Sequence, residues 1–323
     1  MGDISVIIPV KNRAELLRKT LDNLLSQSKK PDEIIVVDDH STDGIQMVIF
    51  DYITDCTFLN NRGTGPGAAR NLGLSVATGK YIQFFDSDDL LTPNKIQKQF
   101  EALENSGADI AYGPYVQAEE TKNGWIQKDV LMQANPFPND HNLTEWMLRG
   151  WNILTQACMF RKDLIDRTEP WNQQLITHED YLYLIKLSLL GPTCVHVPDE
   201  TVIYRQHGQQ STDHQTHSKT RSQDKMEVLA EIRGLLSQIK SDFFSKGLFC
   251  GRMAQNYKFL NSAGVEKRRY SGFISVSDYF WEIIYRLYNK QKRNETGTLW
   301  EPMHGISNSK SVFENVIHSI KYV

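Results

Sequence analysis

No apolar run in the chain approaches the roughly 18–20 residues a membrane-spanning helix requires. The first residues, MGDISVIIPV, hold neither a basic n-region nor a cleavage site, which predicts a chain without a secretory leader. Cysteine is scarce. Cys56, Cys158, Cys194 and Cys250 lie far apart and form no C-x-x-C pair, which predicts free, mostly buried thiols in a reducing, cytoplasmic compartment. Internal repeats and low-complexity tracts are absent. So are the glycine signatures of dinucleotide and P-loop sites: GTGPGAARNLG (63–73) fits neither G-x-G-x-x-G nor G-x-x-x-x-G-K-[ST].

What is present is 323 residues, 40% of them hydrophobic, enough for one large domain or two smaller ones. The net charge of −3 conceals an uneven split. Residues 1–214 hold 19 Lys and Arg against 29 Asp and Glu, whereas residues 215–323 hold 17 against 10. Two functional regions, 1–214 and 215–323, are expected. The acidic front argues against nucleic acid as a ligand, since phosphates are repelled there unless a metal ion intervenes.

Residues 4–10 (ISVIIPV) read as a buried strand, and Asn12, three before Glu15, pairs with it as the N-cap of a helix carrying Leu17, Leu21 and Leu24. Residues 33–37 (EIIVV) and 56–59 give two more strands. A helix from the Gly-rich turn at 62–67 to about Ala77 precedes the strand 80–85, and Thr92 caps a helix beginning at Pro93. This alternation predicts an α/β fold with a mostly parallel central sheet flanked by helices, whose ligands bind at the carboxyl ends of the strands. The segment 119–142 reads as loops. Strand 156–161, a helix from Glu179 to Leu190 and extended chain at 193–205 follow, and the C-terminal region is mainly helical.

Two acidic clusters fall at strand ends. In YIQFFDSDDLLTP (81–93), Asp86 and Asp88 are two apart and point the same way in extended chain. An all-oxygen pair suits Mg2+ or Mn2+, although Asp and Ser also favour turns and helix caps. In VVDDHSTDG (36–44), Asp38 or Asp39 either closes a capped turn or accepts a ligand N–H such as the imide of uracil. Arg70 faces a phosphate or a structural carboxylate. In HED (178–180), the acids either stabilise a helix start or supply Asp180 as a general base. His207, in YRQHGQQST (204–212), is structural or contacts a metal or phosphate.

The order SVIIPVKNR, EIIVVDDHSTDG, GPGAARNLG, YIQFFDSDD, HED, YRQHGQQS resembles the family 2 glycosyltransferases over about residues 4–212. The resemblance implies a GT-A fold, a UDP-sugar donor, Mn2+ or Mg2+, and transfer with inversion to a saccharide or lipid-linked saccharide in glycan assembly. By position it implies Pro9, Asn12 and Glu15 near the nucleotide, Asp38 and Asp39 as the uracil-binding pair, and Arg70 in the ARN segment. It further implies Asp86 and Asp88 as the D-x-D metal motif, His207 as a metal–diphosphate ligand and Asp180 as the catalytic base. Two rivals fit less well. A nucleotidyltransferase needs a Gly-rich, basic loop after its first strand, where this chain has KNRAE (11–15). A non-catalytic binding protein on the same scaffold has no need of Asp88 and Asp180, both present.

In the C-terminal region, SVSDYFWEIIYRLYNKQKR (275–293) repeats apolar residues at helical spacing. Either this stripe packs on the rest of that region, or it rests on the inner face of a membrane, where Tyr279, Phe280, Trp281, Arg286, Lys290, Lys292 and Arg293 suit anionic lipid. The same stripe offers a homodimer surface.

Overall fold

A computed structural model describes residues 2–121, 124–127, 132–133, 135–137, 142–151, 153–206, 218–239 and 241–296. Strands β1 (Ile4–Val10), β2 (Glu33–Asp38), β3 (Thr57–Asn60) and β4 (Tyr81–Phe84) alternate with helices α1 (Ala14–Leu25), α2 (Ile45–Asp51) and α3 (Gly65–Val76). A short β5 (Leu90–Leu91) leads to α4 (Lys95–Ser106), β6 (Ile110–Tyr112), β7 (Tyr115–Thr121) and β8 (Gly124–Gln127). Then come α5 (Leu143–Leu148), β9 (Cys158–Arg161), α6 (Lys162–Asp166), α7 (Glu179–Ser188), β10 (Cys194–His196) and β11 (Val202–Gln206). The chain closes with α8 (Ser218–Leu235), α9 (Phe243–Phe259) and α10 (Val276–Thr296).

Seven strands form the central sheet in the order β10-β6-β9-β4-β1-β2-β3, parallel except for β9, which runs antiparallel to β4 and β6. A second sheet, β5-β11-β7-β8, stands at its carboxyl edge. The pleat of β1 divides the core. Ile4, Val6, Ile8 and Val10 point to the face covered by α1, α2 and α4, while Ile7 points to the face covered by α3 and α7. Residues of α8 and α9, among them Met226, Leu229, Phe249 and Met253, join that second core, so the C-terminal helices pack over the same side of the sheet as α3 and α7.

Four local expectations are corrected. Asn12 is not an N-cap: its φ is +53°, and its side chain accepts from the Thr42 N–H at 2.7 Å. The first turn of α1 is instead held by Asp43, which accepts from the Ala14 N–H at 2.7 Å. Thr92 does not cap α4, which begins at Lys95 after Asn94. Its hydroxyl is engaged with the backbone of Thr201. Part of the supposed loop 119–142 is the β7–β8 hairpin, whose strand β7 ends in the polar run Glu119-Glu120-Thr121 and whose β8 is only four residues long, too little for an apolar alternation to show.

The fourth correction concerns α10, which is helical as expected but turned over. Val276, Phe280, Ile283 and Leu287 are exposed, whereas Asp278 and Glu282 are buried. Among the described residues most of the stripe is therefore left uncovered, although Ile284 and Tyr288 are half-buried and the Tyr288 ring lies 6.0 Å from that of Phe244 on α9. Gly247 and Gly251 of α9 decide the contact: a Cβ at Gly251 would lie 2.2 Å from the Trp281 carbonyl oxygen, and one at Gly247 2.4 Å from the Trp281 ring. Ion pairs then fix the buried acids, Arg233 to Asp278 at 2.9 Å and Arg286 to Glu282 at 2.6 Å. Among the described residues no helix is long and apolar enough to cross a membrane.

Candidate active site

The tips of β1, β2 and β4 open into a cleft of about 1630 Å3, closed on the far side by α7, α8 and α9. Phe85, just past β4, is the last core residue before the acids, and beyond it the chain turns at Ser87 and Asp88. That turn, and not the alternation of an extended strand, brings the acids together. Carboxylate oxygens of Asp86, Asp88 and Asp89 lie within 4.8 Å of one another.

Crowded carboxylates need compensation, and each has it. Asp86 accepts from Arg70 at 3.1 Å and from the Gln156 amide at 2.8 Å. Asp88 pairs with Arg13 at 2.5 Å. Asp89, fully buried, accepts from the Arg205 N–H at 2.9 Å and from the same Gln156 amide at 3.1 Å. Burial pushes the Asp86 carboxyl up, opposed by Arg70 and reinforced by Asp88. Burial, with Asp88 and Asp86 close by, holds Asp89 well above the usual carboxylate range. The backbone of the turn is clamped from below: the Thr20 hydroxyl lies 3.1 Å from the Ser87 carbonyl and 3.0 Å from that of Asp89, and Arg205 donates to the carbonyl of Asp88.

At the tip of β2 the two aspartates part company. Asp38 accepts from the Ser41 N–H at 3.0 Å, closing the turn, and does not line the cleft. Asp39 does line it. It accepts from Asn61 at 2.7 Å and from the Gly65 N–H at 3.1 Å, and pairs with Lys11 at 3.2 Å. Gly65 reaches Asp39 because its φ of +86° suits glycine. Pro9 and Asn12 line the cleft, whereas Glu15 is exposed on α1 and Arg13 faces the cleft in its place.

Arg70 is buried on α3 and bridges two elements, donating to Asp86 and, at 2.8 Å, to Glu179 of α7. Burial pushes the Glu179 carboxyl up to about 7, with Arg70 opposing. Asp180, next in the chain, lines the cleft half-buried, one oxygen accepting from the Tyr181 N–H at 2.7 Å. His178 precedes α7 with a φ of +61°. His207 lies outside the described residues.

The structure thus gathers Pro9, Asn12, Asp39, Arg70, Asp86, Asp88 and Asp180 around one cavity. It adds Arg13, Gln156 and Arg205, which the sequence did not single out. Gln156 carries no motif and Arg205 stands unremarked inside the quoted YRQHGQQST, and the acidic-cluster residues they engage lie 67 to 117 positions away. Arg13 stands inside the quoted KNR, where a charged loop residue is unremarkable until Asp88 is folded against it.

A family model described as Glycosyl transferase family 2 matches residues 5–168. An uncharacterized glycosyltransferase of Rickettsia conorii is 37% identical over 139 residues, covering 42% of this chain and 23% of that protein. The chain thus spans about a quarter of the length of that relative. Among solved structures, TarS 1–349 of S. aureus in complex with UDP-GlcNAc superposes with a TM-score of 0.62 at 19% identity, over 81% of this chain and 74% of that one. The mannosyltransferase PcManGT of Pyrobaculum calidifontis, in complex with GDP-Man and Mn2+, gives 0.56 at 17% identity, over 94% and 84%. At such identities these likenesses establish a shared GT-A type fold.

Proposed function

The chain belongs to glycosyl transferase family 2, and from that premise we propose that it is a metal-dependent, inverting glycosyltransferase. In this reading one sugar passes from a UDP-sugar to a saccharide or lipid-linked saccharide during polysaccharide assembly. The carrying observation is that Asp39, Arg70, Asp86, Asp88 and Asp180, contributed by four separate elements, line one cleft.

The acid cluster fits a divalent ion. Its donors are all oxygen, lie within 4.8 Å of one another, and already accommodate a positive charge in Arg13. Asp86 and Asp88 would hold Mn2+ or Mg2+, with His207 assigned as a further ligand by resemblance alone. When bound, the ion neutralises charge on the departing diphosphate.

The chain's own groups do the rest. Asp39 lies at the nucleotide end and accepts the uracil N–H, held in orientation by Asn61 and Gly65. Asp180 takes the proton of the acceptor hydroxyl as it attacks the anomeric carbon. A hydroxyl is a poor nucleophile at neutral pH, and such assistance contributes on the order of 10²–10⁴ in rate. Glu179, which also lines the cleft, is buried against Arg70 and serves to position it, leaving the half-buried Asp180 as the base.

The test is release of UDP from a panel of UDP-sugars with and without Mn2+, with GDP-mannose as the contrasting donor and pyrophosphate release as the readout for nucleotidyl transfer. Metal-dependent UDP release supports the reading. Pyrophosphate release, or no nucleotide release from any donor, overturns it. The exposed apolar face of α10, beside the exposed Arg286, supports a peripheral contact with an anionic membrane surface. Equal sedimentation with anionic vesicles and with buffer would remove that part.

A further inference from the structure

The cleft has two electrical halves. Acids from the sheet tips line one side. Arg221 and Lys225 of α8 and Arg252 of α9 line the other, with Gln255 and Asn256 beside them. We propose that this basic wall is the binding site for an oxyanion, a phosphate or carboxylate, carried by the acceptor saccharide. The inference rests on the glycosyltransferase reading and names the acceptor class that reading leaves open.

Two cations of the wall, Lys225 and Arg252, lack a carboxylate counterion among the described residues. Lys225 is half-buried, and among the described residues it has no ion pair or hydrogen bond. Its neighbour Asp224 is committed elsewhere: one of its oxygens accepts from the Ile176 N–H at 3.0 Å and the Thr177 N–H at 2.9 Å. Arg252 has no carboxylate partner among the described residues either. Its guanidinium lies 5.1 Å from the Tyr181 ring centroid and 5.5 Å from that of Phe249, one nitrogen donates to the Tyr181 hydroxyl, and its Nε is buried with no hydrogen-bond partner. Tyr181 is itself anchored, donating to the Met147 carbonyl at 2.8 Å. Arg252 is therefore fixed in place by rings rather than neutralised by an acid.

The surrounding electrostatics agree. Burial, then Arg252 and Arg221, push the Lys225 ammonium down to about 8. Burial and the same three cations hold the His178 imidazole down at about 3, so it adds no further charge. Like charges brought together under partial burial repel and lose hydration. Among the described residues no carboxylate pairs with Lys225 or Arg252, and the nearby cleft acids Asp86 and Glu179 are instead held by Arg70. An incoming oxyanion relieves that repulsion, and arginine offers it a planar fork of donors. The site stands beside Asp180, so an anion seated there would present a neighbouring hydroxyl toward the proposed base.

Calorimetric titration tests this with three probes of matched length: a poly(glycerol phosphate) oligomer, a hexuronate oligosaccharide and a neutral hexose oligosaccharide. Each is titrated with and without saturating UDP and Mn2+, so that anion capture at the diphosphate position is separated from capture at the basic wall. At least one anionic probe should bind tenfold or more tightly than the neutral one with UDP–Mn2+ present, and the stronger of the two anionic arms identifies phosphate or carboxylate as the source. Lys225→Gln combined with Arg252→Gln should remove that preference while UDP–Mn2+ affinity is retained. Because Arg252 packs between rings, Lys225→Gln alone serves as a second variant and should lower the preference at least threefold. Equal binding of charged and neutral probes, no binding of either anionic probe, or a preference unchanged in both variants overturns the inference. Failure of UDP–Mn2+ to bind would instead count against the glycosyltransferase reading, and the anionic arms without nucleotide still decide the basic wall.

Discussion

The guanidinium of Arg13 sits 2.5 Å from a carboxylate oxygen of Asp88, so a side chain already carrying positive charge stands against the proposed metal ligand. Cation and arginine cannot both have that oxygen to themselves. Replacing Arg13 with Gln should therefore tighten Mn2+ binding in the absence of nucleotide. The gain should be about threefold to tenfold, the scale of a partly solvated pair worth about 1 kcal/mol. Electron paramagnetic resonance of free Mn2+ during titration reads this directly. Unchanged or weaker Mn2+ binding would rule out the competition.

Asp180→Asn preserves size and hydrogen bonding while removing the proton acceptor. Transfer should fall by about 10²–10⁴ with UDP–Mn2+ affinity kept within a factor of about two. Near-normal turnover would transfer the role of base elsewhere. Glu179→Gln is the instructive control. It removes a buried partner of Arg70, so it should lower thermal stability as well as activity, because breaking a buried pair leaves a charge uncompensated.

Gln156 touches two acids of the cluster with one amide, at 2.8 Å to Asp86 and 3.1 Å to Asp89. Gln156→Leu should weaken metal-dependent UDP binding by about 10–100-fold, the usual loss when a residue orienting metal ligands is removed. A variant that binds UDP–Mn2+ as the wild type does would show that the turn is held by Thr20 and Arg205 alone.

Gln156 also shows where sequence legibility stops. The tips of β2 and β4 could be read because buried β-branched or aromatic runs end abruptly in Asp38-Asp39 and in Asp86, a pattern contained within a few residues. The contacts that select Asp39 over Asp38, or that brace Asp86, come from Asn61, Gly65, Arg70 and Gln156, and only folding brings them near. The same limit explains Asn12 and Thr92. Both have the residue type of a helix cap, but partners at Thr42 and Thr201 compete successfully for their side chains. Parallel β-strands are specified locally, whereas the division of labour within the site is specified by long-range pairing.

Lys95, behind Gln156 on the core side of the site, supplies a pH prediction. It is almost fully buried, and burial pushes its ammonium down to about 7 from the usual 10.5. Between those values the unfolded chain holds a proton that the folded one lacks, so this group makes stability rise with pH. Below about 7 both states are charged and the burial penalty is complete. Each pH unit in the window contributes at most about 1.4 kcal/mol. Urea denaturation of the wild type should therefore gain about 1–2 kcal/mol relative to Lys95→Met on going from pH 7 to pH 9. A difference that stays flat across that range would mean the lysine remains charged in the fold, stabilised by the Gln83 oxygen and the Gln156 carbonyl.

The inverted α10 makes the sharpest stability contrast. Apolar periodicity says that Phe280 and Ile283 face a core, yet they are 61% and 58% exposed. Serine at both positions should cost no more than about 0.5 kcal/mol each, as exposed positions do. Gly251→Ala, a change of a single methyl group, should be far worse. Its Cβ would meet the Trp281 carbonyl at 2.2 Å and the Glu282 nitrogen at 2.9 Å, both backbone atoms that cannot swing aside. The helices would have to separate, straining the Arg233–Asp278 pair and uncovering the buried Glu282, at a cost of about 1–3 kcal/mol. Thermal melts of the three variants rank the two faces of the helix. If Phe280→Ser and Ile283→Ser melt lower than Gly251→Ala, the face that periodicity favours is the one that packs, and the contact between α9 and α10 described above is wrong.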